Sequence, residues 1–267
     1  MKFNTLNKNR MHIITSRSAL YILALSLCLS CVYCSPSVEQ PRTSSAGATF
    51  TLVTCHLGEV VPDASGVIEV ITSSRAELVV LHHTTPTWEK FLRDELSPSY
   101  PHMHFDGEGW ALLSRKPVNM TALLEMPEIK EVAMARMNIQ TSIGELPLLQ
   151  LRSSGPSASP HDDPEIARYL ARVVEQQGQL PAIIVGDFHG DEGQTTAWLT
   201  REKGLKSALP EFSQAKQQWH EHSSSIELTQ RHEHVLYDPA QLFIQRESVM
   251  DRAGLEHMPV VLSFSRR

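Results

Sequence analysis

Cysteine is scarce in this chain, and positive charge is scarcer than negative. Four cysteines occur in 267 residues, too few for a disulfide scaffold. Three of them, Cys28, Cys31 and Cys34, crowd near the N-terminus. That leaves Cys55 without an assured partner and reads it as a buried thiol. Lys and Arg number 24 against 30 Asp and Glu, a net charge of −6. The first 30 residues carry four basic side chains (Lys2, Lys8, Arg10, Arg17) and no acidic one, so the remainder has 20 basic against 30 acidic residues. Such a chain is a poor non-specific binder of DNA or RNA, because backbone affinity comes from neutralising phosphates with Lys and Arg. No repeat and no internal linker interrupts the body. With 41% apolar and 20% charged residues, disorder is excluded. The length suits one domain, or at most two, with a real core.

Residues 18–33 form an apolar run behind a basic region and ahead of a polar stretch, the layout of a secretory signal. The run is short for a bilayer span, which needs roughly 20 residues. Leu29-Ser30-Cys31 is similar to the cleavage site of a bacterial lipoprotein, with Cys28 where Leu is usual. Three readings stay open for residues 1–34: a lipoprotein signal, a plain secretion signal and an uncleaved anchor. Residues 35–49 are rich in Ser, Pro, Thr and Gly and read as a tether. Residues 50–267 are then the folded domain.

Within it, Phe50–Cys55 alternates as a strand, and Leu78–Leu81 is a continuous apolar run as in a strand buried on both faces. Val67–Ile71 fits helix or strand. Pro86–Leu96 is a helix, with Pro86 in its first turn and Trp88, Phe91 and Leu92 on one face. Pro164–Gln177 is the clearest helix, with Asp163 able to cap it, Gly178 ending it and an apolar stripe of Ile166, Leu170, Val173 and Val174. Gln194–Lys203 is a helix stopped by Gly204. Strands are expected at Trp110–Ser114, Glu131–Asn138, Leu146–Arg152, Ala182–Val185, Val235–Tyr237, Leu242–Arg246 and Pro259–Phe264. Adjacent strands without intervening helices argue against a doubly wound parallel sheet and for α+β or another mixed α/β layering.

Six segments in order carry a resemblance: Thr51–Leu57, Ala76–His83, Gly109–Val118, Ile183-Ile184-Val185-Gly186-Asp187-Phe188-His189, Arg231–Leu236 and Glu256–Val261. Together they resemble the endonuclease/exonuclease/phosphatase superfamily, with its Gly-x-Ala-(apolar)-(apolar)-Ser-Arg-x-Pro segment and its Gly-Asp-Phe-Asn turn. The resemblance implies a four-layer sandwich of the deoxyribonuclease-I-like type: two packed mixed β-sheets flanked by helices. It also implies hydrolysis of phosphoesters with a divalent metal, Mg²⁺ or Mn²⁺.

The chemical positions depart from the family pattern. His56 stands where the family has Asn, His83 where it has the metal-binding Glu, Arg152 where it has the His of a Thr-His-Leu motif, and His189 where it has Asn. Glu233 and Glu256 replace Asp, while Asp187 and His257 keep the family's identity. The resemblance assigns Asp187 and His257 to the proton of the attacking water. His189 is carried over as a further catalytic residue, and Arg152 as a bidentate phosphate clamp that stays protonated. His83, His56, Glu256 and Glu233 fall at the metal positions. Imidazole suits Zn, Mn or Fe better than Mg, and Glu59 or Glu108 are substitute ligands. Three functions stay open: an exported or lipid-anchored hydrolase with a His-enriched site, an inactive pseudoenzyme that binds through the same fold, or a His-rich metal-binding protein without hydrolysis. The acidic charge and the export signal point to a small phosphoester or a lipid headgroup as substrate rather than a nucleic acid; the N-terminal segment supplies the membrane contact. His102 and His104 read as solvated loop residues, and so do His220 and His222. His161-Asp162-Asp163 reads as a loop leading into a helix cap. His232 and His234 point away from Glu233 if that stretch is a strand. Trp88 and Trp110 read as core.

Overall fold

The computed structural model describes residues 47–57, 64–107, 109–125, 132–153, 163–176, 178, 180–187, 194–208, 233–250, 255 and 258–267. Residues 1–46, where a signal and most of a tether are expected, lie outside them. The described strands are β1 (Phe50–His56), β2 (Leu78–His82), β3 (His102–Phe105), β4 (Trp110–Ser114), β5 (Val118–Glu125), β6 (Val132–Thr141), β7 (Gly144–Ser153), β8 (Ile183–Asp187), β9 (Lys206–Ser207), β10 (Glu233–Tyr237), β11 (Leu242–Val249) and β12 (Val260–Arg266). The helices are α1 (Ala64–Ser74), α2 (Pro86–Leu96), α3 (Asp163–Gln176) and α4 (Gln194–Arg201).

The strands form two six-stranded sheets, in the orders β11-β12-β1-β2-β4-β3 and β5-β6-β7-β8-β10-β9. Both sheets repeat one pairing pattern. A single parallel pair sits at the centre, β1 with β2 in one sheet and β7 with β8 in the other, and every other pair is antiparallel. Each parallel pair is joined through a helix, α1 or α3, as parallel neighbours require.

Alternation along the strands sorts the side chains into layers. Phe50, Leu52, Leu78, Val80, Leu112, Leu148, Ile183, Val185 and Val235 meet between the sheets. Val53, Cys55, Val79, Leu81, Ala111 and Leu113 face the other way and pack with Val67, Ile71, Trp88, Leu92 and Leu96 of α1 and α2. Leu149, Leu151, Ile184 and Leu236 pack with Ile166, Leu170, Val173 and Val174 of α3 and Leu199 of α4. The result is the expected helix–sheet–sheet–helix sandwich. Trp88, Leu92 and Leu96 are fully enclosed, and burying side chains of this size contributes roughly 1.5–3 kcal/mol each. Cys55 is buried beneath the helices and is not in a disulfide. Trp110 is core, as expected.

Local signals account for the helices. In α2 the Thr85 hydroxyl caps the Trp88 N–H and Pro86 opens the first turn. The ambiguous Val67–Ile71 stretch is helical, because Val67, Val70 and Ile71 share one buried face at helical spacing. Gly178, at φ +68°, lies beyond the end of α3 and donates its N–H to the Glu175 carbonyl. Helix α4 ends at Arg201, ahead of Gly204 at φ +75°.

After α1 the same left-handed turn is made by a non-glycine residue: Arg75 sits at φ 54° with its N–H on the Thr72 carbonyl. A left-handed non-glycine residue costs roughly 1–2 kcal/mol, and the Arg75 side chain is exposed. Arg75→Gly is therefore expected to raise stability by about 1 kcal/mol and to shift a thermal melt upward by roughly 2–4 °C.

One expectation is corrected, and one strand is added. The Tyr-Pro-His-Met-His stretch is a strand: β3 pairs along β4 with Met103 opposite Leu113, and that pairing overrides its loop-like composition. β5 is a further strand on the open edge of the second sheet, bulged between Met120 and Ala122; its polar Asn119 and Thr121 obscure it in the sequence.

Candidate active site

The space between the sheets is apolar through most of its length and turns polar at one end. The inward positions of β1 continue from Phe50 and Leu52 to Thr54 and His56. Those of β2 continue from Leu78 and Val80 to His82, and those of β7 from Leu148 to Gln150 and Arg152. All five polar residues are buried. They lie toward the C-terminal ends of both central parallel pairs.

One ion pair brings these ends together. Arg152 Nη1 of β7 donates to Asp106 Oδ2, between β3 and β4, at 2.8 Å. Both side chains are only 10% exposed. Asp106 is itself fixed, since its Oδ1 accepts the Trp110 N–H at 3.0 Å and its own N–H donates to the Trp110 carbonyl. Gly107 and Gly109, at φ +76° and +124°, let the chain turn tightly enough for this. Trp110 lies opposite His82 in the sheet, and the Gly109 carbonyl accepts the Thr84 N–H at 2.9 Å. The end of β2 is thereby tied to the Asp106 turn. The far end of the sandwich is held separately, where Glu77 accepts from the Ser142 N–H at 2.8 Å and pairs with Lys116 at 3.3 Å.

His56 and His83 lie against each other. Their rings stack with centroids 4.1 Å apart and planes 30° from parallel. His83 holds a left-handed backbone at φ 56°, an uncommon state for a residue with a Cβ and one that clusters at functional sites. Imidazole lone pairs lie in the ring plane, so near-parallel stacked rings do not aim them at one shared ion. Among the described residues no group of three His, Cys, Asp or Glu side chains is placed to hold a metal. As placed, this pair does not chelate.

Asp187 ends β8 and lies opposite Glu233, the first residue of β10, so the strand register brings these two expected site positions side by side. His189, Glu256 and His257 lie outside the described residues, as do Glu59, Glu108, His161, Asp162, His220, His222 and His232. His234 is buried on the opposite side of β10 from Val235, as alternation predicts.

Gly186 explains the glycine before Asp187. A Cβ there would lie 2.3 Å from the Leu151 carbonyl oxygen and 2.7 Å from Leu151 Cβ. The two central strands approach so closely that only glycine fits.

Two site residues have no part in the sequence motifs. Asp106 sits 46 positions from Arg152, and nothing local marks the pairing. Gln150 is fully buried, and neither amide atom has a hydrogen-bond partner among the described residues. Its signal is one of alternation: Gln150 and Arg152 alternate with Leu149 and Leu151 on a strand. A buried unsatisfied amide costs about 1–3 kcal/mol and is tolerated chiefly where function needs it.

His102 and His104 are half-buried on β3. Burial, and then the charge of His102, lower the His104 pKa below its ordinary 6.5. The folded-state pKa thus lies below the unfolded one, so this histidine's contribution to stability is whole above pH ~6.5. It is lost as pH falls through the lower folded value. His104→Gln is expected to make denaturant midpoints less sensitive to acid between about pH 7 and pH 5.

No protein-family model matches the sequence, and a comparison with curated proteins gives no match. Solved structures do match. TDP2 of D. rerio, complexed with a single-strand DNA product, superposes with a TM-score of 0.61 at 12% identity, covering 82% of this chain and 100% of that one. An endonuclease/exonuclease/phosphatase family protein of Bacteroides thetaiotaomicron gives 0.60 at 14%, covering 82% and 98%. The human nocturnin catalytic domain, with bound sulfate, gives 0.59 at 13%, covering 82% and 95%. The chain has the deoxyribonuclease-I-like fold of the endonuclease/exonuclease/phosphatase structures. At these identities the likeness is one of fold.

Proposed function

We propose that this chain is a phosphoester hydrolase whose site is the polar end of the sandwich. The observation that carries the reading is the placement of a buried guanidinium, Arg152, beside the ends of both central parallel pairs, in a fold whose structural neighbours are endonuclease/exonuclease/phosphatase proteins. Arg152 holds phosphoryl oxygens by charge-assisted hydrogen bonds. Asp187 and His257 take the roles that the resemblance assigns, one accepting the proton of the attacking water and the other protonating the leaving oxygen. His189 is a further catalytic residue by the same resemblance. The divalent ion is Mg²⁺ or Mn²⁺ by resemblance; the stacked imidazoles of His56 and His83 do not chelate as placed and so do not choose among ions. The substrate is a small phosphoester or a lipid headgroup, in keeping with the acidic charge.

The test is hydrolysis of bis-p-nitrophenyl phosphate by the full chain with Mg²⁺, Mn²⁺, Zn²⁺ or Fe²⁺. Turnover that Asp187→Ala abolishes is the expected result. Absence of turnover with every ion sinks the reading. A second reading, binding without turnover, is favoured by one observation: the guanidinium at the family's histidine position is engaged by Asp106, and a guanidinium cannot serve as an acid at neutral pH. It fails if Asp187→Ala abolishes a measured hydrolysis.

The reading places the protein outside the cytoplasm, through its N-terminal signal. Palmitate incorporation that disappears in Cys31→Ser marks a lipoprotein, whereas a mature N-terminus without lipid marks plain secretion.

A further inference from the structure

We propose that Asp106 is the positioning residue for Arg152, holding its guanidinium in the one orientation that receives a phosphate oxygen. The proposal rests on the phosphoester reading of the same site and adds a residue that the resemblance does not supply.

An arginine placed where a histidine is expected brings a problem. The side chain is long and flexible, and ordering it costs rotamer entropy that a shorter imidazole does not lose. A phosphate clamp works only if that cost is met before the ligand arrives. Asp106 meets it. Its Oδ2 holds Arg152 Nη1 at 2.8 Å, with both side chains nearly buried. The carboxylate cannot swing, because Oδ1 is held by the Trp110 N–H and the turn is closed by the Asp106 N–H on the Trp110 carbonyl. The support extends to the neighbouring strand, since Gly109 takes the Thr84 N–H next to His83. The clamp comes from one sheet and its brace from the other, so the pair also sets the spacing of the two sheets at the site.

Two readouts on the full chain test this: KM and kcat for bis-p-nitrophenyl phosphate, and the Kd of inorganic phosphate by calorimetry. Asp106→Asn keeps the side-chain shape and removes the charge. It is expected to raise KM and the phosphate Kd together by about tenfold, the loss of one charge-assisted contact, with kcat changed less than about twofold. Asp106→Glu, which restores the charge, is expected to recover part of both. If Asp106→Asn does not fold, as a thermal melt at the assay temperature will show, Asp106→Glu decides: weakened phosphate binding with kcat kept supports the brace, and unchanged binding overturns it. Unchanged KM and Kd in folded Asp106→Asn overturn the proposal. Tighter phosphate binding does so too, since Asp106 would then be a competing anion. Wild-type chain that binds phosphate, loses that binding in Asp106→Asn and shows no turnover ends the hydrolase reading but leaves this one standing. Wild-type chain that binds no phosphate ends this one.

Discussion

Among the glycines of the described residues, Gly186→Ala is expected to be the most damaging change. The added carbon would meet the Leu151 backbone at 2.3 Å and its Cβ at 2.7 Å. A clash with backbone cannot be relieved by turning a side chain. It is relieved by prising β7 from β8, at the centre of the second sheet. Overpacking a well-filled interior costs about 1–3 kcal/mol and occasionally more; with backbone on one side, the upper end of that range applies. A loss of about 3 kcal/mol lowers a thermal midpoint by roughly 6–12 °C in a domain of this size. The displacement falls on the residue before Asp187 and the residue before Arg152, so the proposed hydrolysis is expected to fall further than stability. A melt and an assay on the same preparation separate the two. A midpoint within about 2 °C of wild type, as an order-of-magnitude bound, would refute the close approach.

The second large effect concerns the Arg152–Asp106 pair as a structural strut. Arg152→Ala leaves a nearly buried carboxylate without its cation, and breaking a buried pair this way costs about 3–5 kcal/mol. Most of that is the penalty of the stranded charge rather than the worth of the pair. The double variant Arg152→Ala/Asp106→Ala is therefore expected to be more stable than Arg152→Ala alone, with a coupling between the two sites of about 1–3 kcal/mol. Denaturant midpoints for the four proteins of the cycle measure it. Additive losses would mean that the two side chains do not depend on each other.

The layering is legible in the sequence because it follows from periodicity. Alternation of Leu52, Thr54 and His56 against Val53 and Cys55 assigns two faces to β1, and the stripe Ile166, Leu170, Val173 and Val174 does the same for α3. The four-layer arrangement itself is carried by six short segments in order. β3 and β5 are not legible, because their strand character comes from pairing with β4 and β6 and not from their own composition. In the site, alternation marks Gln150 and Arg152 as inward, and the glycine before Asp187 has a steric cause. The partnership of Arg152 with Asp106 cannot be read from the chain, because a contact across two sheets leaves no periodic trace. The stacking of His56 on His83 depends on a left-handed turn at a residue that usually avoids one.

Cys55 offers a use unrelated to chemistry at the site. It is the only cysteine after residue 34, it lies on β1 one residue before His56, and it is sealed under the helices of the first sheet. A thiol reagent reaches it only when those helices lift away, so its modification rate clocks the opening of that layer. The chain thus carries its own kinetic gauge, sited beside the strand end of the proposed site. Added phosphate that slows the labelling of Cys55, read by peptide mapping apart from Cys28, Cys31 and Cys34, would report ligand-induced tightening without any engineered probe.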